Sequence, residues 1–244
     1  MNGETRYGAH GHRFAGCIFE GVFSMDLILV RHARAFDRDA SAWPDDSRRP
    51  LTAEGREEFV RLAKRLRRIY PTVDLLESSS YTRAWQTAQL LAEHAGWPKP
   101  SRLERLEGNN ASGSANGASA EAVQLESLLR TVRALRGIGA VAWVGHEPLL
   151  SRFASQLLAG SPGAVRIAFK KGAAIALRLP DTHNHDEHDE HDEHDAERAR
   201  AGRGHEPPMN AAHNAASTLR ADLLWMATPA MARAKRGGKR GGRK

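Results

Sequence analysis

Cysteine is almost missing from this chain: Cys17 is the only one in 244 residues. An intramolecular disulfide is therefore excluded. Residues 1–24 also lack the basic start and apolar stretch of a secretory signal, so a cytoplasmic location is expected. No apolar run reaches the roughly 18 residues of a membrane span, and no membrane role is expected. A Gly-rich Walker-type loop is absent, and the apolar segments offer no metal-ligand spacing, so neither a cofactor nor a catalytic metal is predicted. A chain of this length can still bury a substantial core.

The body of the chain has no net excess of either charge sign, whereas its end is strongly basic. The formal net charge is +7, and residues 233–244 carry seven basic side chains and no acid. The high isoelectric point therefore belongs mainly to this tail. The tail has no interleaved aromatics, and nucleic acid is not expected as a partner.

Regular patterning starts at Met25 and alternates strand with helix. Strands are predicted at 26–30, 73–76 and 140–144, with helices at 56–70, 81–94, 121–136 and 148–158. Thr52 is the predicted N-cap of the first helix, whose apolar face carries Leu62, Leu66 and Ile69, and Gly96 and Pro98 stop the second. Residues 108–120 read as a polar flexible loop. Segments 165–169 and 173–179 read as a hairpin, and 219–226 as a last strand of the same sheet. Trp85 and Trp143 are expected in the core, and His94 as an unremarked helix-end residue.

The pattern predicts an α/β fold whose sheet is covered on both faces. It divides the chain into an N-terminal extension (1–24, upstream of a translation start expected at Met25), a domain of 25–180 plus 218–228, an insertion at 181–217 and a basic disordered tail at 229–244. The insertion contains His185, His188, His191 and His194, separated by Asp-Glu pairs. It reads as low-complexity expansion in a tolerant loop, with weak divalent-metal binding by 183–194 expected in vitro.

Four pieces carry the chemistry. Residues 26–32, Asp-Leu-Ile-Leu-Val-Arg-His, run an apolar strand into Arg31-His32, and 140–146, Ala-Val-Ala-Trp-Val-Gly-His, repeat the arrangement to end on His146. Arg49 and Arg83 complete the set. All lie beyond strand ends or at helix starts, where an open α/β sheet binds ligands and backbone N–H groups favour anions. Guanidinium forks match phosphate geometry. A neutral imidazole is a competent nucleophile towards phosphorus, and fixed cations can stabilise a loose phosphoryl transition state. Arg48 is the alternative to Arg49, and Glu147 reads as a helix N-terminal charge rather than a catalyst. Taken singly, either histidine could be structural.

Val-Arg-His at 30–32, Arg-Pro-Leu-Thr-Ala-Glu-Gly at 49–55, Ser-Ser-Ser-Tyr-Thr-Arg-Ala-Trp-Gln-Thr-Ala at 78–88 and Val-Gly-His-Glu-Pro at 144–148 resemble, in order and spacing, the histidine phosphatase superfamily. The resemblance implies a phosphoglycerate mutase-like, three-layer α/β/α sandwich with a mostly parallel central sheet. The small size, Arg49-Pro-Leu-Thr and Lys170-Lys171-Gly172 are similar to the SixA-type phosphohistidine phosphatases. It implies His32 as the nucleophile, Arg31, Arg49 and Arg83 as phosphate ligands, and His146 as a stabiliser of the transferring group. Ala33 stands where the family has glycine, and Ser80 replaces a frequent proline.

The family's larger members place an acidic proton donor before the second histidine, where Glu104 and Glu107 are the nearest candidates. An alkoxide leaving group gains about 10²–10⁴-fold from such an acid, whereas a phosphohistidine leaves as imidazole and needs it less. The expected partner is therefore a protein phosphohistidine. The alternatives are a small phosphorylated substrate, handled by a phosphomonoesterase or mutase-like enzyme, and a non-catalytic protein that binds phosphorylated ligands or metal.

Overall fold

The structure is a computed structural model that describes residues 24–107, 120–135, 137–180 and 219–232. The expected N-terminal extension up to residue 23, the loop 108–119, the His-rich 181–217 and the tail from 233 lie outside the described residues; Pro229–Ala232, expected as the start of the disordered tail, instead form a 3-10 turn whose Met231 carbonyl accepts from Arg65.

A six-stranded sheet forms the middle layer. Its strands are β1 (Met25–Arg31), β2 (Leu75–Ser78), β3 (Ser101–Arg102), β4 (Ala140–Gly145), β5 (Ala174–Leu179) and β6 (Asp222–Ala227), in the order β3-β2-β4-β1-β5-β6. The pairs β3–β2, β2–β4 and β4–β1 are parallel, while β5 and β6 run antiparallel to their neighbours. Parallel strands buried on both faces read as unbroken apolar runs, and β4 is buried at every position.

Helices α1 (Ala53–Ile69) and α2 (Thr82–Ala95) cover one face, meeting Ile28, Val30, Ala142 and Val144. Helices α3 (Ala120–Ala134) and α4 (Leu149–Ala159) cover the other, meeting Leu27, Leu29, Val141 and Trp143. The alternation along each strand thus feeds two cores, and the fold is the expected three-layer α/β/α sandwich.

Local chemistry sets the element ends. Thr52 caps α1 as predicted, its hydroxyl accepting from the Gly55 N–H. Gly55 is required by close approach: a Cβ there would stand 2.1 Å from the Arg34 carbonyl oxygen. The apolar face of α1 is Phe59, Leu62, Ala63 and Leu66, whereas Ile69 at the helix end is 43% exposed. Trp143 is fully buried and donates to Glu77, but Trp85 is only half-buried, lying under the Arg102 guanidinium.

The predicted hairpin is corrected. Residues 165–169 form no strand, because β1 and β6 occupy both edges of β5. The final apolar segment does join the sheet, as edge strand β6. No helix among the described residues is long and apolar enough to cross a membrane.

Candidate active site

Strand register brings the two histidines together. Arg31 and Gly145 are partners across the parallel β1–β4 pair, so the residues that follow, His32 and His146, leave the same sheet edge side by side. Their ring centroids lie 5.2 Å apart. Ser78 pairs with Val144, which sets Ser79 at the same edge. The Ser79 hydroxyl oxygen is 2.9 Å from His146 Nε2 and also accepts from the Tyr81 N–H. The hydroxyl proton can then go to Nε2, which leaves the His146 ring proton on Nδ1.

His32 is held more tightly. Its N–H donates to the Gly145 carbonyl, and its carbonyl accepts from the Gly172 N–H. Gly172 has φ +74° and approaches so closely that a Cβ would meet Pro229 at 3.0 Å. The ring's Nδ1 lies 2.7 Å from the Ala33 carbonyl oxygen. A carbonyl only accepts, so Nδ1 carries the proton and Nε2 keeps its lone pair. Ala33, expected as a departure from the family's glycine, packs its methyl into the α1/α2 core and donates its N–H to Thr87 Oγ1.

Three guanidinium groups surround the imidazoles. A cleft of about 330 Å³ is lined by Arg31, His32, Asp37, Arg38, Arg49, Arg83, His146, Glu147 and Lys171. Arg49 is buried in it and Arg48 is exposed, which decides between the two. Arg49 donates to the Phe36 carbonyl at 2.5 Å and to Asp46 at 2.8 Å. Arg31 donates to the Phe169 carbonyl at 2.5 Å, so the irregular 165–169 segment serves as an anchor for a pocket arginine. Arg83, in the first turn of α2, reaches Asp46 through both its carbonyl and its carboxylate. Arg31 Nε, Arg83 Nε and His146 Nδ1 have no hydrogen-bond partner among the described residues. Unpaired buried donors are uncommon and cluster where function needs them.

Burial and the neighbouring cations keep both imidazoles neutral. Desolvation, with Arg83, Arg31 and Arg49 adding to it, pushes His32 down to about 3. Desolvation and then His32 itself push His146 down to about 2. An uncharged ring with a free Nε2 beside fixed cations can attack an electrophilic centre that carries negative charge.

The carboxylates fall differently from expectation. Glu104 is exposed, and Glu107 is buried and accepts from the Ser80 hydroxyl; neither lines the cleft. Glu147 does line it. Its carboxylate accepts from the Ser151 N–H in the first turn of α4, as a helix N-terminal acid should, and burial raises its pKa. A neighbouring cleft of about 410 Å³ shares Arg83, His146 and Glu147 and adds Tyr81, whose ring lies 5.0 Å from that of His146. Asp46, Ser79, Tyr81 and Thr87 were not assigned a role by sequence reasoning, and Lys171 entered only as part of the Lys170-Lys171-Gly172 resemblance. Ser79, Tyr81 and Thr87 sit inside the 78–88 motif, which was the available signal. Among the described residues no cluster of His, Cys, Asp or Glu could hold a metal ion.

The structure is a three-layer α/β sandwich with paired histidines and arginines, groups able to hold an oxyanion, at the carboxyl edge of its sheet. The sequence model of the Histidine phosphatase superfamily (branch 1) matches residues 27–136. The chain is similar to that superfamily over this span; His146 lies just beyond it. It is 29% identical over 154 residues to an uncharacterized protein of Picosynechococcus sp., covering 63% of this chain and 85% of that one. Its fold is similar to the structure of the protein histidine phosphatase SixA complexed with tungstate (TM-score 0.56, 18% identity, 86% of this chain and 100% of that one). It is also similar to that of mycobacterial hydrolase 2 (TM-score 0.52, 16% identity, 83% and 90%).

Proposed function

We propose that the protein is a phosphatase that works through a phosphohistidine on His32, and that its substrate is a phosphohistidine of another protein. The observation that carries this reading is the His32 ring. Its Nδ1–H is spent on Ala33, and its Nε2 lone pair stands among Arg31, Arg49 and Arg83.

His32 Nε2 forms the new bond to phosphorus, and the bond to the leaving nitrogen breaks with its electron pair. A protonated imidazole departs neutral, so no acid of the protein is required. Water then attacks the phosphohistidine, its proton is lost to solvent, and neutral His32 and inorganic phosphate result. The three arginines hold the phosphoryl oxygens, and His146 donates from Nδ1 to an oxygen that gains charge. The positions of Glu104 and Glu107 away from the cleft support a leaving group that needs little help. The domain division, with 181–217 and the basic tail as accessory segments, and a cytoplasmic location belong to the same proposal.

One observation favours a second reading. Glu147 has a raised pKa at the wall of both clefts and could protonate an alkoxide, which suits a small phosphomonoester. The test is a substrate panel run on wild type and on His32→Ala, containing a phosphohistidine protein, a sugar phosphate and a nucleoside monophosphate. Wild type should turn over the phosphohistidine protein fastest, and His32→Ala should turn over nothing. Faster hydrolysis of the sugar or nucleotide phosphate moves the assignment to the second reading. Equal activity of the two proteins sinks the mechanism.

A further inference from the structure

The phosphatase chemistry gives no role to Asp46, the carboxylate that touches two of the phosphate-binding arginines. Asp46 opens a short 3-10 turn, Asp46–Arg48, that Asp45 fixes by accepting from the Ser47 N–H at 3.0 Å. One Asp46 carboxylate oxygen accepts from Arg49 Nε at 2.8 Å, and the other lies 3.1 Å from Arg83 Nη2. Its carbonyl accepts from Arg83 Nη1 at 2.7 Å, and Arg38 Nε lies 3.8 Å from its carboxylate. Arg49 and Arg83 are 6% and 5% exposed, and this carboxylate ties them together. The hydrogen bond from Arg49, with Arg83 and Arg38 adding charge, holds the Asp46 carboxyl below its usual range. It is therefore a fixed anion at neutral pH.

A fixed anion on phosphate-binding arginines has two opposite consequences. It aligns the guanidinium groups in the free protein, which favours binding. It also repels whatever anion shares those groups, and the repulsion grows with the charge of the guest. Product phosphate carries up to two negative charges, whereas a loose, metaphosphate-like transition state carries less on the transferred group. The penalty thus falls harder on product than on the transition state, which is the direction that raises turnover.

We propose that Asp46 is a built-in competitor for the phosphoryl site, a positioning residue for Arg49 and Arg83 that also drives release of inorganic phosphate. The proposal rests on the phosphoryl-pocket reading above. Its test is calorimetric titration of the full-length protein with inorganic phosphate, which needs no turnover. Asp46→Asn, and Asp46→Ser run beside it, should bind phosphate about tenfold more tightly than wild type, the effect of about 1.4 kcal/mol of relieved repulsion. Asp46→Glu, which keeps the charge, should stay near wild type. In steady state the neutral variants should lose kcat while kcat/KM changes less. A residue that only aligned the arginines would give the opposite sign, so phosphate binding that is unchanged or weaker in both neutral variants overturns the proposal. Absence of phosphate binding in wild type and all variants overturns the phosphoryl-pocket reading and this proposal together.

Discussion

The two edges of the sheet are built from similar side chains and behave differently. At the amino edge of the parallel strands lies an open cleft of about 610 Å³ lined by Asp26, Tyr70, Asp74, Arg178 and Trp225, among others. There each charge is answered locally. Asp26 accepts from the Tyr70 hydroxyl and pairs with Arg178 through both oxygens, at 2.9 and 3.1 Å. Asp74 accepts from the Ala140 N–H at 2.8 Å. Burial, followed by the bond to Asp26, raises the Tyr70 phenol and keeps it a donor. At the carboxyl edge the cations exceed the acids: Arg31, Arg38, Arg49, Arg83 and Lys171 line the cleft around His32 with Asp37 and Glu147, and Asp46 answers Arg49, Arg83 and Arg38 from beside it. The imidazoles there are neutral because they are buried, not because they are paired. The charges of the first cleft cancel, whereas the second keeps a cationic surplus in which Arg31, Arg49 and Arg83 are the sheltered members and Arg38 and Lys171 the exposed ones.

The contrast can be broken most strongly at Arg83. Arg83→Ala removes a preorganised cation at the developing charge and should lower kcat by about 10²–10³-fold, as loss of one transition-state donor does elsewhere. Steady-state kinetics on the preferred phosphorylated substrate would check it, with circular dichroism confirming the fold. A loss below threefold would mean that the surplus charge is ornamental.

An intermediate effect concerns pH. His32 and His146 sit far below the 6.5 of an exposed imidazole, at about 3 and about 2. Between those values and 6.5 the unfolded chain takes up protons that the folded one refuses. Their contribution to stability is therefore fully present above about pH 6.5 and is lost as pH falls through that window. Melting temperatures of wild type and His32→Asn, followed from pH 7.5 to pH 4, should show a shallower acid decline in the variant. Parallel declines would contradict neutral burial of His32.

The smallest effect is expected at the amino edge. Asp26→Asn should lower stability by no more than about 1 kcal/mol, since its Arg178 partner is half-exposed, and should leave turnover unchanged. A tenfold loss of activity would show that the two edges are coupled.

Much of this was legible in the residues. Apolar runs ending in Arg31-His32 and Gly145-His146 gave two neighbouring parallel strands, and Thr52 marked the start of α1. Strands alternating with helices gave a sheet covered on both faces, but not its strand order, since α1 and α2 share one face and α3 and α4 the other. The 165–169 segment was misread because alternation alone cannot tell that both edges of β5 are taken. Asp46 stayed invisible as a site residue because a carboxylate between two arginines is a three-dimensional fact: Arg83 lies 37 residues away in sequence. Glu147 was read as a helix charge, which its bond to Ser151 bears out, yet the same placement also puts it at the cleft wall.

The central claim is that the lone pair on His32 Nε2 is the nucleophile. It is tested most directly by rapid quench under conditions that preserve phosphohistidine, with labelled phosphodonor, followed by peptide mapping. Label on His32 in wild type, acid-labile and absent from His32→Ala, is the predicted result. Turnover without label on His32, or label retained in His32→Ala, would contradict it.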